Sequence, residues 1–183
     1  MPNRRPFFQF NKSMISKDCG DNLAIDKVKA YFRQYGREND VLEFESSSAT
    51  VELAAKALNV IPARIAKTIA LKHEDSCILV VAAGDARIDN IKFRSEFKVK
   101  SKMLPHDDVV PLVGHDVGGV CPFVVNDGVP VYLDVSLRRF DSVFPACGSA
   151  NSAIELTCPE LYEYSRAQGW VDVCKDWIND DPK

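Results

Sequence analysis

Apolar residues recur along the chain at two spacings, one typical of helices and the other of strands. Between residues 25 and 35 they return every three or four positions, which is the period of one helix face. Asp21 or Asn22 is suited to cap the start of this helix, and Gly36 is suited to end it. The same criteria predict further helical segments at residues 50–58, 62–65, 89–97, 104–112 and 159–169.

Strand patterns lie between these helical segments. Short β-branched and apolar stretches bounded by turn residues predict strands at residues 41–45, 67–72, 77–83, 129–135, 142–146 and 154–156. The stretch 77–83 is apolar on both faces, which favours a central strand. Several connections are too short for a parallel crossover, so we expect a mixed α/β domain of the α+β type whose sheet is mostly antiparallel.

Composition narrows the classes of protein that this pattern fits. A chain of 183 residues with 46% hydrophobic residues fits one domain with its own core. The net charge of -3 argues against coating nucleic acid through bulk charge. Residues 87–102 are an exception, because they hold six Lys or Arg against two acids. This stretch is either a solvated surface or a patch for phosphate groups.

The two ends of the argument about location are the cysteines and the first residues. The six cysteines form no C-x-x-C pair and lie far apart, so we expect reduced thiols in a cytoplasmic protein. Residues 1–13 are basic and aromatic and lack the continuous apolar stretch of a secretory signal. We therefore predict a leader or flexible arm at residues 1–20 and a single domain at residues 21–183. The spacing of histidines and cysteines predicts no metal and no cofactor.

Lys67 is the first position at which the sequence indicates chemistry. If a strand begins here, the lysine shares a face with the apolar residues Ile69 and Leu71, and Thr68 lies on the other face. Such a lysine either extends from the strand end into water or meets an anion in a cleft. At the mouth of a pocket its ammonium group would suit a phosphate or a polarised hydroxyl.

The second such position is the glycine-rich stretch 114–123. It contains Gly114, Gly118 and Gly119 and closes with Pro122, a composition that excludes a helix or a regular strand. Glycine lets backbone N–H groups approach a ligand closely, and such groups bind a developing oxyanion. A tight surface turn is the alternative interpretation.

Two weaker candidates complete the survey. Cys121 lies in the glycine-rich stretch, and His115 is near enough in sequence to act as its base in a thiol hydrolase. Free cysteines are more often small buried hydrophobic residues, however. The segment 148–152, which begins with Gly148 and Ser149, is typical of a plain loop between strands and gains interest only if other candidates lie beside it.

The order of the short motifs is more informative than any one of them. Along the chain come Ser48-Ala49, A-A-K-A-L at 54–58, I-A-K-T-I-A at 65–70, G-x-x-V-G-G-V-C-P-F at 114–123, V-Y-L-D at 131–134 and I-E-L at 154–156. This order resembles the YbaK family and its relative, the editing insertion domain of bacterial prolyl-tRNA synthetases. The resemblance extends over roughly residues 25–161.

The resemblance implies a curved, barrel-like mixed sheet surrounded by helices and an aminoacyl-tRNA deacylase that works in trans. Its substrate would be a small amino acid, such as Cys, Ala or Ser, wrongly esterified to tRNA(Pro), and its partners the tRNA acceptor end and a synthetase. It assigns catalytic positions to Lys67, Gly118 and Gly119. It assigns substrate-binding positions to Thr68, Gly114, Cys121, Pro122, Gly148 and Ser149. In this family no metal takes part, and water or a substrate group attacks the ester.

Three residues depart from the family pattern. Cys121 stands where relatives often have Ser or Pro, Val124 stands where Gly is frequent, and Ala153 stands where some members have Asp. These departures leave the amino-acid specificity open. They also motivate an alternative hypothesis, a non-catalytic module of the same fold that binds tRNA or a synthetase.

Overall fold

The computed structural model describes residues 18–45 and 48–177 of the chain. These residues form five helices and ten short strands. The helices are α1 (Asp18–Arg33), α2 (Val51–Leu58), α3 (Asn90–Phe97), α4 (His106–Val113) and α5 (Cys158–Tyr164). The strands are β1 (Leu42–Glu43), β2 (Ile65–His73), β3 (Ser76–Ala83), β4 (Arg87–Ile88), β5 (Val131–Asp134), β6 (Ser142–Pro145), β7 (Ser152–Ala153), β8 (Leu156–Thr157), β9 (Gly169–Val171) and β10 (Cys174–Lys175).

A six-stranded mixed sheet organises the molecule, in the order β8-β6-β2-β3-β5-β9. The strands β2 and β3 form an antiparallel hairpin whose turn has Glu74 in a left-handed conformation, with φ of 52°. Strand β3 is buried from Cys77 to Ala83 and has neighbours on both sides, so its prediction as a central strand is confirmed. The sheet curls into a half-barrel.

The predicted mixture of strand directions is also found. Four of the seven strand pairings in the described residues are antiparallel, and two of those four lie in small two-stranded sheets. The three parallel pairings all lie in the main sheet, where β2 meets β6, β3 meets β5 and β5 meets β9. Strands paired in parallel are joined by long connections, which leave room for the helices.

The helix starts near the site follow from capping residues. The Thr50 hydroxyl accepts a hydrogen bond from the N–H of Leu53 at 3.2 Å, and α2 starts at the next residue. The predicted cap of α3 is confirmed, because the Asp89 carboxylate accepts from the N–H groups of Ile91 and Lys92 at 2.8 and 3.0 Å. A cap of this kind is worth about 1 kcal/mol.

Some predicted boundaries are wrong. Helix α1 begins at Asp18, so Asp21 and Asn22 lie inside it and are not its caps. Helix α5 ends at Tyr164 because Arg166 takes a left-handed conformation, with φ of 50°, and Gly169 instead begins β9. The predicted strand 154–156 is split between two partners: Ala153 pairs with Leu42, whereas Leu156 pairs with Val143. The strands β4, β9 and β10 were not predicted.

The core connects α1 to the glycine-rich stretch. The apolar face predicted for α1 is buried at Ile25, Val28 and Phe32. The ring of Phe32 meets that of Phe123 edge to face, with 4.9 Å between centroids. Burying each such side chain stabilises the fold by about 1.5–3 kcal/mol. Helix α1 is thus the support on which residues 114–123 rest.

The predicted division of the chain is only partly visible. Residues 1–17 of the predicted arm lie outside the described residues, and residues 18–20 form the first turn of α1. Among the described residues, no helix combines the length and the apolar character needed to cross a bilayer.

Candidate active site

A cavity of about 350 Å³ opens beside β2, between α2, α4 and the glycine-rich stretch. Its wall is largely apolar and its side chains are mostly small, among them Ala66, Ala70 and Ala153. Of the Lys, Arg, Asp and Glu residues that the structure describes, Lys67 alone lines it. An apolar cavity of this size with few polar groups is the usual form of a small-ligand site.

Lys67 lies half-buried in this wall. Its Nζ donates a hydrogen bond to the carbonyl of Gly84 at 2.9 Å, and the structure shows no other bond from Nζ within residues 18–45 and 48–177. Burial lowers the pKa of Lys67, while the nearby Cys174 and Asp85 partly oppose this effect. A partly desolvated ammonium with hydrogens to spare gains from any anion that enters the cavity.

The carbonyl that holds Lys67 is itself fixed from behind. Gly84 packs so closely that a Cβ atom there would lie 2.0 Å from the carbonyl oxygen of Pro62. The next residue, Asp85, accepts two hydrogen bonds from the Arg139 guanidinium, at 2.6 and 3.0 Å. The guanidinium carbon of Arg139 also lies 5.2 Å from the centroid of the Trp177 ring. The direction of the Lys67 side chain therefore depends on a buried, bidentate ion pair.

Thr68 lines the cavity next to Lys67. Its Oγ1 is buried and has no hydrogen-bond partner among the described residues. A buried polar group without a partner costs about 1–3 kcal/mol, so such groups are uncommon in folded proteins. The unpaired hydroxyl distinguishes this part of the wall from its apolar surroundings.

The glycine-rich stretch contributes Val117, Gly118 and Val120 to the same cavity. Gly118 has φ of 98°, which favours glycine, and its backbone faces the gap between Ala49 and Ala150. The lysine predicted at the start of a strand and the distant glycine turn thus share one cavity.

Gly119 and Gly148 serve a different purpose, the close approach of two loops. A Cβ atom on Gly119 would lie 2.9 Å from the carbonyl oxygen of Gly148 and 2.9 Å from the Cα of Ser149. Gly148 in turn has φ of 87° and packs on the carbonyl of Ala24 in α1. This contact brings the segment 148–152 to the cavity, where Ser149 and Ser152 line the wall.

Several residues predicted to touch substrate lie behind the wall. Gly114 ends α4 with φ of 92° and donates its N–H to the carbonyl of Val110. Pro122 lines a separate depression on the far side of the loop. Gly119, Gly148 and Cys121 are buried without lining the cavity. For these five residues the predicted contact with substrate is corrected to a structural role in shaping the loops.

The thiol mechanism lacks an accessible nucleophile. Cys121 has no exposed surface, and its Sγ lies 3.4 Å from Nε2 of His115. Burial raises the pKa of Cys121 to about 12, so the thiol stays protonated at neutral pH. Burial likewise lowers the pKa of His115, whose Nε2 donates to the carbonyl of Phe123 at 2.7 Å. The pair forms part of the core.

Other residues of the site were missed at the level of sequence. Ser152 accepts a hydrogen bond from Ser149 at 2.8 Å in the cavity wall, and the exposed His106 lies at its rim. The ion pair of Asp85 with Arg139 was missed as well. Neither isolated serines nor partners 54 residues apart carry a local sequence signal. The described residues contain no cluster of three His, Cys, Asp or Glu placed to hold a metal ion.

Comparison with known proteins agrees with this arrangement. Residues 45–164 match the family model described as an aminoacyl-tRNA editing domain. The chain belongs to the aminoacyl-tRNA editing domain family. The resemblance seen in the motif order is therefore confirmed, and the matched residues include the whole cavity wall.

Individual members of this family support the assignment at two levels. The uncharacterised protein YwhH of Bacillus subtilis (strain 168) is 55% identical over 156 residues, which cover 85% of this chain and 99% of YwhH. The proline–tRNA ligase of Bacillus cereus (strain AH820) is 20% identical over 139 residues, which cover 74% of this chain but 24% of the ligase.

A crystal structure of a candidate trans-editing enzyme for prolyl-tRNA synthetase superposes with a TM-score of 0.75. The two chains are 25% identical, and the match covers 83% of this chain and 97% of the other. The predicted fold of the editing domain family is thereby confirmed.

Proposed function

We propose that this protein is an aminoacyl-tRNA deacylase that hydrolyses the ester between a small amino acid and the 3′-terminal adenosine of a mischarged tRNA. The observation that carries the proposal is the meeting of Lys67, Thr68 and Gly118 in one cavity of about 350 Å³. Membership of the editing domain family supports it, and so does the likeness to a candidate trans-editing enzyme.

The chemistry would rest on orientation and on charge. Lys67 would bind the terminal phosphate or ribose and hold the ester at the glycine-rich stretch. Backbone N–H groups around Gly118 would stabilise the oxyanion that forms when water, or a hydroxyl or thiol of the substrate, attacks the ester carbonyl. The leaving ribose hydroxyl would take the proton that the attacking group loses. Such a mechanism needs no side-chain nucleophile.

The size of the wall residues favours a small amino acid. Ala66, Ala70 and Ala153 line the cavity, and the larger Phe144 limits its extent. A pocket discriminates against one extra methylene by only about 1–3 kcal/mol, so neighbouring small amino acids would differ moderately as substrates. We propose Cys, Ala and Ser on tRNA(Pro) as the first substrates to test.

The decisive experiment is a panel of mischarged tRNAs tested with the wild type, Lys67→Ala and Lys72→Ala. Lys72 is an exposed lysine of the same strand, which makes it a matched control. We expect Lys67→Ala to lower kcat/KM by about 100-fold, the scale on which one charge-stabilising group contributes to catalysis, and Lys72→Ala to leave it nearly unchanged. Undiminished deacylation by Lys67→Ala would remove this lysine from the mechanism.

A second candidate function is a tRNA-binding module without catalysis. One observation favours it: within the described residues no carboxylate lines the cavity, and Ala153 occupies a position where some family members have Asp. The same panel separates the two candidates. Absence of turnover on every mischarged tRNA, together with measurable tRNA binding, would support the module.

A further inference from the structure

A basic depression lies next to the cavity, on the surface formed by α3 and the segment that follows it. It has a volume of about 620 Å³ and is lined by Asn90, Ile91, Arg94, Ser95, Lys100 and Ser101. Residues 87–102 carry four net positive charges, although the whole chain carries -3. The basic charge of this protein is therefore concentrated on one surface.

The cations of the depression are not neutralised by neighbouring acids. Arg94 and Lys100 are both exposed, and neither takes part in an ion pair among the residues that the structure describes. By contrast, Lys92 on the same helix is bound to Asp172 at 2.7 Å and to the carbonyl of Cys174. Two unpaired cations beside one another form a surface suited to anions.

The shape of the depression is held by specific contacts. Ser101 donates a hydrogen bond to the Asn90 side chain, which ties the segment after α3 to the start of that helix. Ile91 lies between the polar residues with 83% of its surface exposed. The surface thus offers cations around an apolar centre, as a chain of phosphates and riboses requires.

The backbone connects this depression directly to the cavity. The carbonyl of Lys102 accepts from the N–H of Lys72 at 2.8 Å, and the N–H of Leu104 donates to the carbonyl of Ala70 at 3.0 Å. Met103 and Leu104 line the cavity, whereas Lys100 and Ser101 line the depression. Three residues of extended chain span roughly 10 Å, which is the rise of about three stacked nucleotides.

From this placement we propose that Arg94 and Lys100 bind phosphates of the single-stranded acceptor end of tRNA, immediately before the adenosine that enters the cavity. The inference rests on the proposed function, because the aminoacyl ester fixes where the last nucleotide lies. Phosphate contacts of this kind position a nucleic acid without reading its sequence. The depression would therefore serve every tRNA that presents a suitable ester.

The test compares Arg94→Ala/Lys100→Ala with a control double variant, Lys27→Ala/Lys56→Ala. Lys27 and Lys56 are exposed residues on α1 and α2 and do not line the depression. Binding of uncharged tRNA is measured by fluorescence anisotropy between about 50 and 200 mM salt. We expect the first variant to lose about tenfold in affinity and to reduce the slope of log K against log salt by about 1.4, since each single-strand contact contributes about 0.7. We expect the control to change little.

Hydrolysis of a short ester, an aminoacyl-adenosine without further nucleotides, supplies the second measurement. The Arg94→Ala/Lys100→Ala variant should hydrolyse it like the wild type, while its KM for aminoacyl-tRNA rises. An unchanged salt slope, or an equal loss of affinity in the control, would overturn the inference, and binding of a protein in place of tRNA would do the same. If uncharged tRNA binds through Arg94 and Lys100 but no ester is hydrolysed, the surface is supported and the proposed deacylase function fails.

Discussion

Two places in this molecule hold titratable side chains that the sequence marks as candidates for chemistry, and the fold treats them in opposite ways. Lys67 lies half-buried at an open cavity, where its charge is exposed to whatever enters. His115 and Cys121 lie behind the glycine-rich stretch with almost no exposed surface. Both places have pKa values shifted by burial. The difference teaches that a shifted pKa indicates reactivity only where a substrate has access.

The largest effect on the Lys67 side should come from Gly84→Ala. The added Cβ would lie 2.0 Å from the carbonyl of Pro62 and 2.6 Å from Cγ1 of Val51, so the acceptor of Lys67 must move. We expect deacylation to fall by about 100-fold, the cost of displacing a positioning group by about 1 Å, and the free energy of unfolding to fall by about 1–3 kcal/mol. Activity assays and chemical denaturation measure both. Gly169→Ala is the control, because nothing lies within 4 Å of its Cβ position.

A smaller effect should follow from Asp85→Asn. Removing this carboxylate weakens the Arg139 pair and removes one charge that raises the pKa of Lys67. The pKa of Lys67 should therefore fall further, and the decline of activity at high pH should begin at a lower pH than in the wild type. We expect a loss of stability of about 1–3 kcal/mol. A pH–rate profile that matches the profile of Asp75→Asn, an exposed turn residue, would contradict the positioning role.

On the interior side, His115 should make stability depend on pH. Its folded pKa lies below the value of about 6.5 in an unfolded chain, so the unfolded state takes up the proton first as the pH falls. The stabilisation is complete above about pH 6.5 and is lost below it, by at most about 1.4 kcal/mol per pH unit. Urea unfolding at several pH values measures the slope. His115→Gln should flatten it, and an unchanged slope in that variant would assign the effect to other groups.

The smallest effect should come from Cys121→Ala. Since the thiol is buried and protonated, we expect deacylation to change by less than about twofold, with a loss of about 1 kcal/mol in stability from the lost packing. In the folded wild type a thiol reagent should modify the partly exposed Cys158 before Cys121. Loss of activity in a folded Cys121→Ala protein would restore the thiol mechanism and reverse the contrast between the two places.

Local patterns were sufficient for the parts of the fold that local interactions decide. The hairpin of β2 and β3, the capped start of α3 and the apolar face of α1 all follow from spacing within about ten residues. The strands β4, β9 and β10 have two or three residues each, and only a distant partner makes them strands. Such elements carry no periodicity of their own.

The candidate site shows the same division between local and distant determinants. Lys67 and Gly118 were found because a lysine at a strand start and clustered glycines are unusual in themselves. The sequence could not separate Gly118, which lines the cavity, from Gly119, which packs on Gly148. That distinction depends on a loop about thirty residues away. The burial of Cys121 likewise depends on the core, which no motif around it encodes.

The contact of the glycine-rich stretch with the segment 148–152 has a consequence for how the protein matures. The hydroxyl of Ser48 donates to the carbonyl of Ala150 at 3.1 Å across 102 residues of sequence, and Leu42 pairs with Ala153. Contacts between segments so far apart form late, because the intervening chain must be ordered first. A nascent chain would thus acquire its catalytic competence only as folding finishes, and an incomplete molecule would leave cellular aminoacyl-tRNA untouched.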